Sequence, residues 1–357
     1  MQTLRLFVDA HHLASETSRA SLKRAAEILR AGGTVALPTE TVYGLGANAL
    51  DPFAIEKIFA AKERPSWDPL IVHISDMEML HRVTASLPAN AVKLIDAFWP
   101  GPLTLLLPKS EAVPAVVTAG RPRVGVRMPQ HPVAHALIRE AGVPVAAPSA
   151  NRFGRTSPTS AQHVVEDLDG RIDAILDAGE TTHGLESTVI DACEEPCIVY
   201  RPGVISLEQI HAAGVPAVLF RESTATRTET PASLPSPGVG LRHYAPRAKL
   251  ILIDGSGEAQ IAGFHEAVHR AQHNGSAPES KPGLMLADVF ARDLGLGHAL
   301  VYRWGKWNDP EELAQRLFAG LRWLDQAGAN VILCPLPAAE GIGVAIRDRL
   351  LKAARTE

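Results

Sequence analysis

Several polar side chains of the first half of the chain directly follow segments that resemble strands. Four of them lie within the sequence LPTETVYGLG, residues 37–46: Thr39, Glu40, Thr41 and Tyr43. Glycines in this segment would let the backbone approach a ligand closely, and open α/β sheets bind their ligands at the carboxyl ends of strands. The segment is therefore either part of a ligand site or a tight polar turn.

Basic residues lie at the ends of several predicted elements. Lys62 and Arg64 end a predicted helix, where they either cap its C-terminus or bind an anion. Arg123 and Arg127 flank a glycine in the strand-like sequence RVGVR, and Arg201 ends another strand-like run. Because the same kind of group recurs at strand edges, the pattern indicates a single polyanionic ligand.

Hydroxyl and amide groups follow two further strand-like segments. The sequence APSAN, residues 147–151, precedes a loop that contains Ser157, and GLEST, residues 184–188, precedes the run VID. Such groups, with free backbone N–H groups, form a natural nest for phosphate or carboxylate. Since no Ser-His-Asp or CxxC arrangement accompanies them, the set favours binding and aligning a phosphate-bearing substrate over covalent catalysis.

Other candidate motifs are weaker. His73 lies in an apolar strand-like run and is either a satisfied core histidine or a hydrogen-bond partner of a substrate. The sequence GLGANA, residues 44–49, fits a dinucleotide fingerprint, but Asp51-Pro52 interrupts the helix that should follow. The three cysteines do not have zinc-ligand spacing and cannot form a disulfide framework, which favours a reducing compartment.

Composition bounds the class of protein. The chain has 357 residues, of which 46% are hydrophobic and 21% charged, with a formal net charge of −4. This length suggests two domains, each large enough to bury its own core. The charge balance argues against a general nucleic-acid coat, although it leaves weak RNA binding open. No apolar run approaches the length of a membrane span, so we expect a cytoplasmic protein without a membrane anchor.

Strand-like and helix-like segments interleave along the chain, which predicts an α/β protein. In the first part we expect a mixed twisted sheet with helices. The predicted strands there are 34–37, 69–74, 103–107, 124–128, 143–147, 187–191 and 198–201, and the predicted helices are 21–31, 54–62, 89–98, 133–141 and 160–168.

The domain organisation follows from a change in composition. We predict a catalytic domain over residues 1–215, a Ser-, Thr- and Pro-rich linker or lid over 216–247, and a small domain over 248–357. The last part alternates four strand-like runs with helical patterns near 257–273, 309–327 and 343–354. This alternation predicts a small doubly wound, Rossmann-like α/β domain.

Seven motifs occur in an order that resembles the threonylcarbamoyl-AMP synthase family, whose catalytic domain has the YrdC-like fold. They are LPTETVYGLGANA, KERPSWDPLIVHI, WPGPLTLLL, VGVRMP, APSANRFGRTSPT, GLESTVID and YRPG. The similarity runs from about residue 18 to 205. The sequences SPGVGLRHYAP and GIGVAIRDRLLKAA are similar to the linker and tail of the long, two-domain form of that family.

The resemblance implies an enzyme that joins L-threonine, bicarbonate and ATP into threonylcarbamoyl-adenylate and pyrophosphate. It implies magnesium bound with ATP, no metal site formed by the protein and no organic cofactor. The product would pass to a separate tRNA threonylcarbamoyl transferase complex that modifies an adenosine beside the anticodon.

The resemblance also implies a set of site residues. The catalytic residues would be Lys62 and Arg64. The threonine site would comprise Thr41, His73, Arg127, Ala147 and Ser187. The ATP site would comprise Arg64, Asp68, Arg123, Ser149, Asn151, Ser157, Arg201 and the linker residue Tyr244, which would close over the pocket.

Two of these positions depart from the family pattern. Asp68 stands where the family commonly has Asn, and a carboxylate beside a triphosphate is repulsive unless it meets magnesium. Arg123 replaces a residue that is usually small and polar, which would leave its contact to the backbone alone.

Two alternatives share the same fold. One is a double-stranded RNA-binding or ribosome-binding module, against which the near-neutral composition weighs. The other is a transferase that forms a carbamoyl-adenylate from carbamoyl phosphate, whose relatives usually carry zinc-finger and acylphosphatase-like modules that this sequence lacks.

Overall fold

The computed structural model describes residues 2–220, 236, 243–273, 281–292 and 294–355, which form two compact units. The first unit comprises Met1–Phe153, Ser157–Thr182 and Glu186–Gly240. The second comprises Gly154–Thr156, His183–Leu185 and Leu241–Glu357. Most of the predicted linker, 221–235 and 237–242, lies outside the described residues. Residues 217–219, also predicted as linker, form a strand.

The described part of the first unit forms one mixed sheet of eleven strands. Its strands are β1 Leu4–Phe7, β2 Val35–Leu37, β3 Gly44–Asn48, β4 Ile71–His73, β5 Leu103–Pro108, β6 Arg123–Arg127, β7 Val145–Ala146, β8 Ala174–Asp177, β9 Thr188–Asp191, β10 Cys197–Arg201 and β11 Ala217–Leu219. The spatial order is β1-β8-β2-β3-β7-β4-β6-β5-β9-β10-β11. Both parallel and antiparallel pairs occur, which confirms the predicted mixed sheet.

Seven helices accompany this sheet in the described residues. They are α1 Glu16–Arg30, α2 Pro52–Lys62, α3 Met77–Val83, α4 Ala89–Phe98, α5 Pro132–Ala141, α6 Ala161–Leu168 and α7 Leu207–Ala212. Their apolar stripes pack with one set of alternating strand residues, which includes Leu105, Val126 and Val72, to form the main core.

The opposite set of alternating residues forms the second face of the sheet. Ile71, Leu106 and Val189 make a small apolar cluster there that is separate from the main core. Gly125 lies beside them, since it pairs with Ile71 on one side and with Leu106 on the other. This face therefore leaves room for polar side chains that the main core could not accept.

The second unit is a smaller α/β structure. Its strands are β12 Lys249–Ile253, β13 Pro282–Ala287, β14 Leu300–Gly305 and β15 Val331–Pro335, in the order β12-β15-β13-β14. All three pairings are parallel, and the helices α8 Gly257–His273, α9 Pro310–Gln326 and α10 Gly343–Ala354 connect or follow the strands. The predicted Rossmann-like α/β domain is confirmed.

The described helices include none that is both long enough and apolar enough to cross a bilayer.

Gly203, in the YRPG motif after β10, lies against the segment that leads into β9. A Cβ atom at this position would lie 2.3 Å from the Thr188 nitrogen and 2.5 Å from the Glu186 carbonyl oxygen. Both contacts are with backbone, so a side chain here would displace one of the two segments.

We expect Gly203→Ala to lower the free energy of unfolding by about 3 kcal/mol, because of this overlap. Gly214→Ala is the matched control: its φ is +73°, but no atom lies within 4 Å of the added Cβ. The control should cost only about 1 kcal/mol, from the left-handed backbone. Urea unfolding of the three proteins measures the difference, and equal losses would contradict the crowding argument.

Candidate active site

Five neighbouring strands, β4, β6, β5, β9 and β10, contribute to the second face of the first unit's sheet, several of them with polar side chains. His73 on β4 pairs with Arg127 on β6, and Val189 on β9 pairs with both Thr104 on β5 and Arg201 on β10. Residues paired across strands point to the same face. The sheet thus places His73, Arg127 and Arg201 on one face. The family resemblance assigns the first two to the threonine site and Arg201 to the ATP site.

Arg127 is held by a different acceptor at each of its three guanidinium nitrogens. Nε donates to the Gly101 carbonyl at 3.1 Å and Nη1 to the Thr41 hydroxyl at 2.8 Å, while Nη2 lies 2.6 Å from a carboxylate oxygen of Glu40. Thr41 in turn lies 2.7 Å from the Thr39 hydroxyl. The polar segment after β2 is therefore a partner of Arg127 rather than an independent turn.

The charge state of this cluster follows from its burial. Burial alone would raise the pKa of Glu40, but the charge and hydrogen bond of Arg127 outweigh it and lower that pKa to about 2. Burial and the charge of Arg127 lower the pKa of His73 to about 3. At neutral pH, Glu40 is therefore ionised and His73 is neutral. The Nδ1 atom of His73 has no hydrogen-bond partner among the described residues.

Lys62 joins the end of α2 to the APSAN loop. Helix α2 begins at an Asp51 N-cap and ends where Glu63 adopts a left-handed backbone conformation with φ 54°. The Lys62 side chain is 1% exposed, and its Nζ donates to the carbonyl oxygens of Ser149 and Asn151, each at 2.5 Å. The structure thus brings together three of the predicted site residues through an ammonium and two backbone carbonyls.

The environment of Lys62 disfavours the protonated, charged form of its amine. Burial is the main cause and the nearby Arg64 guanidinium adds to it, so that together they hold the pKa of Lys62 well below its ordinary value. The two carbonyl acceptors carry no full charge. An anion that approached Lys62 would therefore raise its pKa.

Arg64 and Asp68 form a buried ion pair, with Nη2 2.9 Å from Oδ1. The guanidinium also donates to the Pro69 carbonyl at 2.9 Å and lies 6.0 Å from the centre of the Phe153 ring. Burial raises the pKa of the Asp68 carboxyl, and the charges of Arg64 and Lys62 oppose that rise. Asp68 is thus a partner of Arg64, which gives this carboxyl a role that needs no metal ion.

Arg201 holds the start of β9. Its Nε and Nη2 donate to the Ser187 carbonyl at 3.1 and 2.9 Å, and Nη2 also donates to the Ser187 hydroxyl at 3.1 Å. The Ser187 hydroxyl lies 2.8 Å from that of Thr104. One residue earlier, Glu186 accepts a 2.5 Å hydrogen bond from Ser157. The predicted residues Ser157, Ser187 and Arg201 thus belong to two adjoining hydrogen-bonded groups.

Arg123 does not lie beside Arg127. The two residues occupy opposite ends of β6, roughly 13 Å apart along the strand. Arg123 pairs instead with Asp191 and with Glu194, the latter at 2.6 Å. The structure places this side chain with carboxylates and not with the other cations, and its role toward ATP stays a prediction.

The last two predicted residues differ in setting. Ala147 is buried and donates its N–H to the Ile71 carbonyl at 2.8 Å, so it offers backbone rather than a functional side chain. Tyr244 lies in the second unit, where its ring stacks on Phe318 with centroids 5.7 Å apart and has the Arg349 guanidinium 5.0 Å away. Closure of Tyr244 over ATP stays a prediction.

Sequence reasoning did not assign three polar residues of these groups: Glu40, Thr104 and Glu186. Glu40 stands inside the PTET segment, so its position was visible but its partner was not. Thr104 is a lone hydroxyl residue in an apolar strand, which could have indicated a polar face. Glu186 lies in GLEST directly before Ser187, and only the fold shows its bond to Ser157.

Within the described residues, no three His, Cys, Asp or Glu side chains are grouped so that they could hold a metal ion. The cysteines Cys193, Cys197 and Cys334 are all free.

Comparison with known proteins extends over both units. Residues 27–203 match the Sua5/YciO/YrdC family model, described as telomere recombination. Residues 205–355 match the model described as threonylcarbamoyl-AMP synthase, C-terminal domain.

Two relatives are similar over nearly their whole length. The threonylcarbamoyl-AMP synthase of Pyrococcus abyssi is 42% identical over 334 residues, covering 93% of each chain. That of Bacillus subtilis is 42% identical over 360 residues, covering 99% of this chain and 98% of the relative.

A solved structure extends the similarity to the fold. The crystal structure of P. abyssi Sua5 complexed with L-threonine superposes with a TM-score of 0.89 at 40% identity, covering 99% of this chain and 98% of the other. The two family models, the full-length relatives and this superposition agree. The chain belongs to the threonylcarbamoyl-AMP synthase family, in the form that carries both a YrdC-like unit and a C-terminal unit.

Proposed function

We propose that this protein converts L-threonine, bicarbonate and ATP into threonylcarbamoyl-adenylate and pyrophosphate, the first step of a tRNA modification. The observation that supports this most directly is the pair of buried cationic groups in the first unit. One is centred on Arg127 and the other on Lys62 with Arg64. A relative with the same fold has been crystallised with L-threonine.

The proposed chemistry requires no protein nucleophile. Bicarbonate takes up a proton and loses water to give carbon dioxide. The neutral amine of threonine adds to this carbon dioxide and gives a carbamate, and the proton that the nitrogen releases balances the proton that bicarbonate consumed. A carbamate oxygen then attacks the α-phosphorus of ATP, and pyrophosphate leaves with the electron pair of the broken bond. The residues of the site would contribute by alignment, by offsetting negative charge and by excluding water from an unstable product.

Each cationic group suits a different substrate. Arg127 carries a planar fork of N–H donors that matches a carboxylate, so we assign it to the threonine carboxylate. Thr41, His73, Ser187 and the Ala147 backbone would orient the rest of threonine. Lys62 and Arg64 would contact the phosphates, together with Ser149, Asn151, Ser157 and Arg201.

Magnesium would arrive as the MgATP complex. A resident metal site would need a group of ligands that the described residues do not provide. In nucleotide sites the ion is usually held chiefly by phosphate oxygens, with few protein carboxylates. We therefore assign magnesium to the substrate and route no protein step through it.

The alternatives make different demands on the cations. A double-stranded RNA-binding module needs exposed basic groups that can reach phosphates on a surface. Here Lys62, Arg64 and Arg127 are each at most 8% exposed, which favours a small enclosed ligand. A transferase for carbamoyl phosphate would not depend on threonine, so substrate omission separates it from our proposal.

The deciding experiment is pyrophosphate release by the purified protein with MgATP. We expect release that requires both L-threonine and bicarbonate, and a product with the mass of threonylcarbamoyl-adenylate. L-alanine in place of threonine serves as the control for unspecific ATP turnover. Release that proceeds equally without threonine would refute the proposal, and release that instead requires added carbamoyl phosphate would favour that alternative.

Arg127→Lys tests the assignment of the threonine carboxylate. The substitution keeps a positive charge beside Glu40 but removes the planar fork, so we expect KM for threonine to rise roughly 50-fold. KM for ATP should stay within about threefold. Arg82→Ala is the control, because this exposed arginine only donates to the Gly142 carbonyl. An equal rise in KM for threonine and for ATP would contradict the assignment.

The depressed pKa of Lys62 predicts that ATP binding takes up a proton. At a pH above that pKa the free amine is partly unprotonated, and the incoming phosphates favour its charged form. Calorimetric titration at several pH values, in buffers of different ionisation enthalpy, should show proton uptake by the wild type that Lys62→Met reduces.

Lys57→Met is the matched control for this titration. Lys57 lies on the same helix and donates to the Gly32 carbonyl at 2.7 Å. It should leave proton uptake unchanged. If Lys62→Met took up as many protons as the wild type, Lys62 would not be the group that titrates.

A further inference from the structure

We propose that Glu40 is a positioning residue for threonine: its carboxylate fixes the Arg127 guanidinium and balances its charge, so that the site accepts a zwitterion. This inference rests on the proposed function, because it assigns a task within the threonine site. Glu40 itself need not touch the substrate.

The carboxylate of Glu40 is anchored from two directions. Oε1 lies 2.6 Å from Arg127 Nη2 and accepts the Gln130 N–H at 3.1 Å, while Oε2 accepts the His131 N–H at 3.3 Å. The backbone carbonyl of Glu40 accepts the Thr182 hydroxyl at 3.1 Å. The bonds to Gln130 and His131 therefore hold Glu40 against the N-terminal end of α5 independently of its contact with Arg127.

Among the three anchors of Arg127, only Glu40 carries a charge. The Gly101 carbonyl and the Thr41 hydroxyl are neutral acceptors, and Arg127 itself is 3% exposed. Loss of the carboxylate charge would leave a buried cation without a counter-ion, which is strongly unfavourable. The guanidinium would then move toward water or recruit another anion.

Charge balance gives the arrangement its selectivity. Glu40 and Arg127 sum to zero, and His73 next to them is neutral because of its depressed pKa. His131, whose pKa burial also lowers, adds no charge. Free threonine is a zwitterion at neutral pH, so it enters without changing the net charge. A site with Arg127 unbalanced would instead favour simple anions.

The first measurement compares Glu40→Gln with the wild type. The amide keeps the shape and one acceptor oxygen but removes the charge. We expect KM for threonine to rise about 30-fold or more and KM for ATP to stay within threefold. Glu40→Asp keeps the charge and should recover part of the loss, and it remains informative if the glutamine variant is poorly folded.

Asp173→Asn is the matched control. Asp173 also joins two segments of the first unit, since it accepts the Thr34 N–H at 2.7 Å and the Thr34 hydroxyl at 3.0 Å. It is not part of the site. This variant should lower the melting temperature while leaving both KM values unchanged, which separates loss of stability from loss of positioning.

The second measurement uses 3-hydroxybutyrate, which is threonine without its amino group. It is an anion rather than a zwitterion. The wild type should bind it weakly as a competitor of threonine. In Glu40→Gln, the ratio of its inhibition constant to KM for threonine should fall at least tenfold. A purely structural role for Glu40 would not change that ratio.

Calorimetric binding of threonine keeps this inference distinct from the proposed function. If the wild type binds no threonine, the proposed function and this inference fall together. If the wild type binds threonine and Glu40→Gln binds it equally well, or discriminates equally against 3-hydroxybutyrate, the inference alone is overturned. A similar rise of KM for threonine and of KM for ATP in Glu40→Gln would also overturn the inference.

Discussion

Burial of positive charge is the constraint on which the first unit depends. Lys62, Arg64, Arg127 and Arg201 are all at most 8% exposed, and a buried cation is unfavourable unless it is paired or hydrogen-bonded. The partners of these side chains come from loops that follow strands, including the carbonyls of Ser149, Asn151 and Ser187. The cations therefore fix the loops, and the loops keep the cations away from water.

The separation of the two sheet faces makes this arrangement possible. Helices cover one face with a continuous apolar core, whereas the other carries only the small cluster of Ile71, Leu106 and Val189. Gly125 at the centre of that face adds no side chain of its own. Long side chains such as Arg127 can then extend across the sheet to a loop that follows a different strand.

The sequence predicted the long helices with clear periodicity, but several short elements were not predicted, including β1, α3 and β3. Helices α4 and α10 were predicted at their observed bounds, because their apolar residues repeat with helical spacing. Strand β3 was missed: GLGAN has few branched side chains, and a Cβ at Gly46 would lie 2.8 Å from both Leu37 and Val145. Close packing of neighbouring strands, which the sequence does not display, makes this segment a strand.

The site residues also show which features can be predicted from local sequence and which depend on the tertiary fold. Arg123 and Arg127 flank the same glycine in the sequence, and the resemblance implies a site role for both, yet they lie at opposite ends of β6. Glu40 was visible in its motif, but its ion pair spans 87 positions and depends on the pairing of strands. The resemblance to family motifs identified many of the candidate site residues. Only the fold shows which carboxylate pairs with which cation.

That pattern of compensation relates each cation to its substrate. Lys62 and Arg201 donate to backbone carbonyls, and both interact electrostatically with the Asp68 carboxyl, which is also paired with Arg64. Because three cations share this carboxyl, the group would still attract an incoming triphosphate. Arg127 already has a full counter-charge in Glu40 and gains little from a bare anion, but its fork can still bind a carboxylate that brings its own ammonium group. In the proposed reaction the ammonium nitrogen loses two protons and bonds to carbon dioxide, so a neutral zwitterion becomes a dianion inside the site. In the proposed reaction, the cations that share Asp68 are the groups that would attract this added negative charge, which would direct the carbamate toward the phosphates.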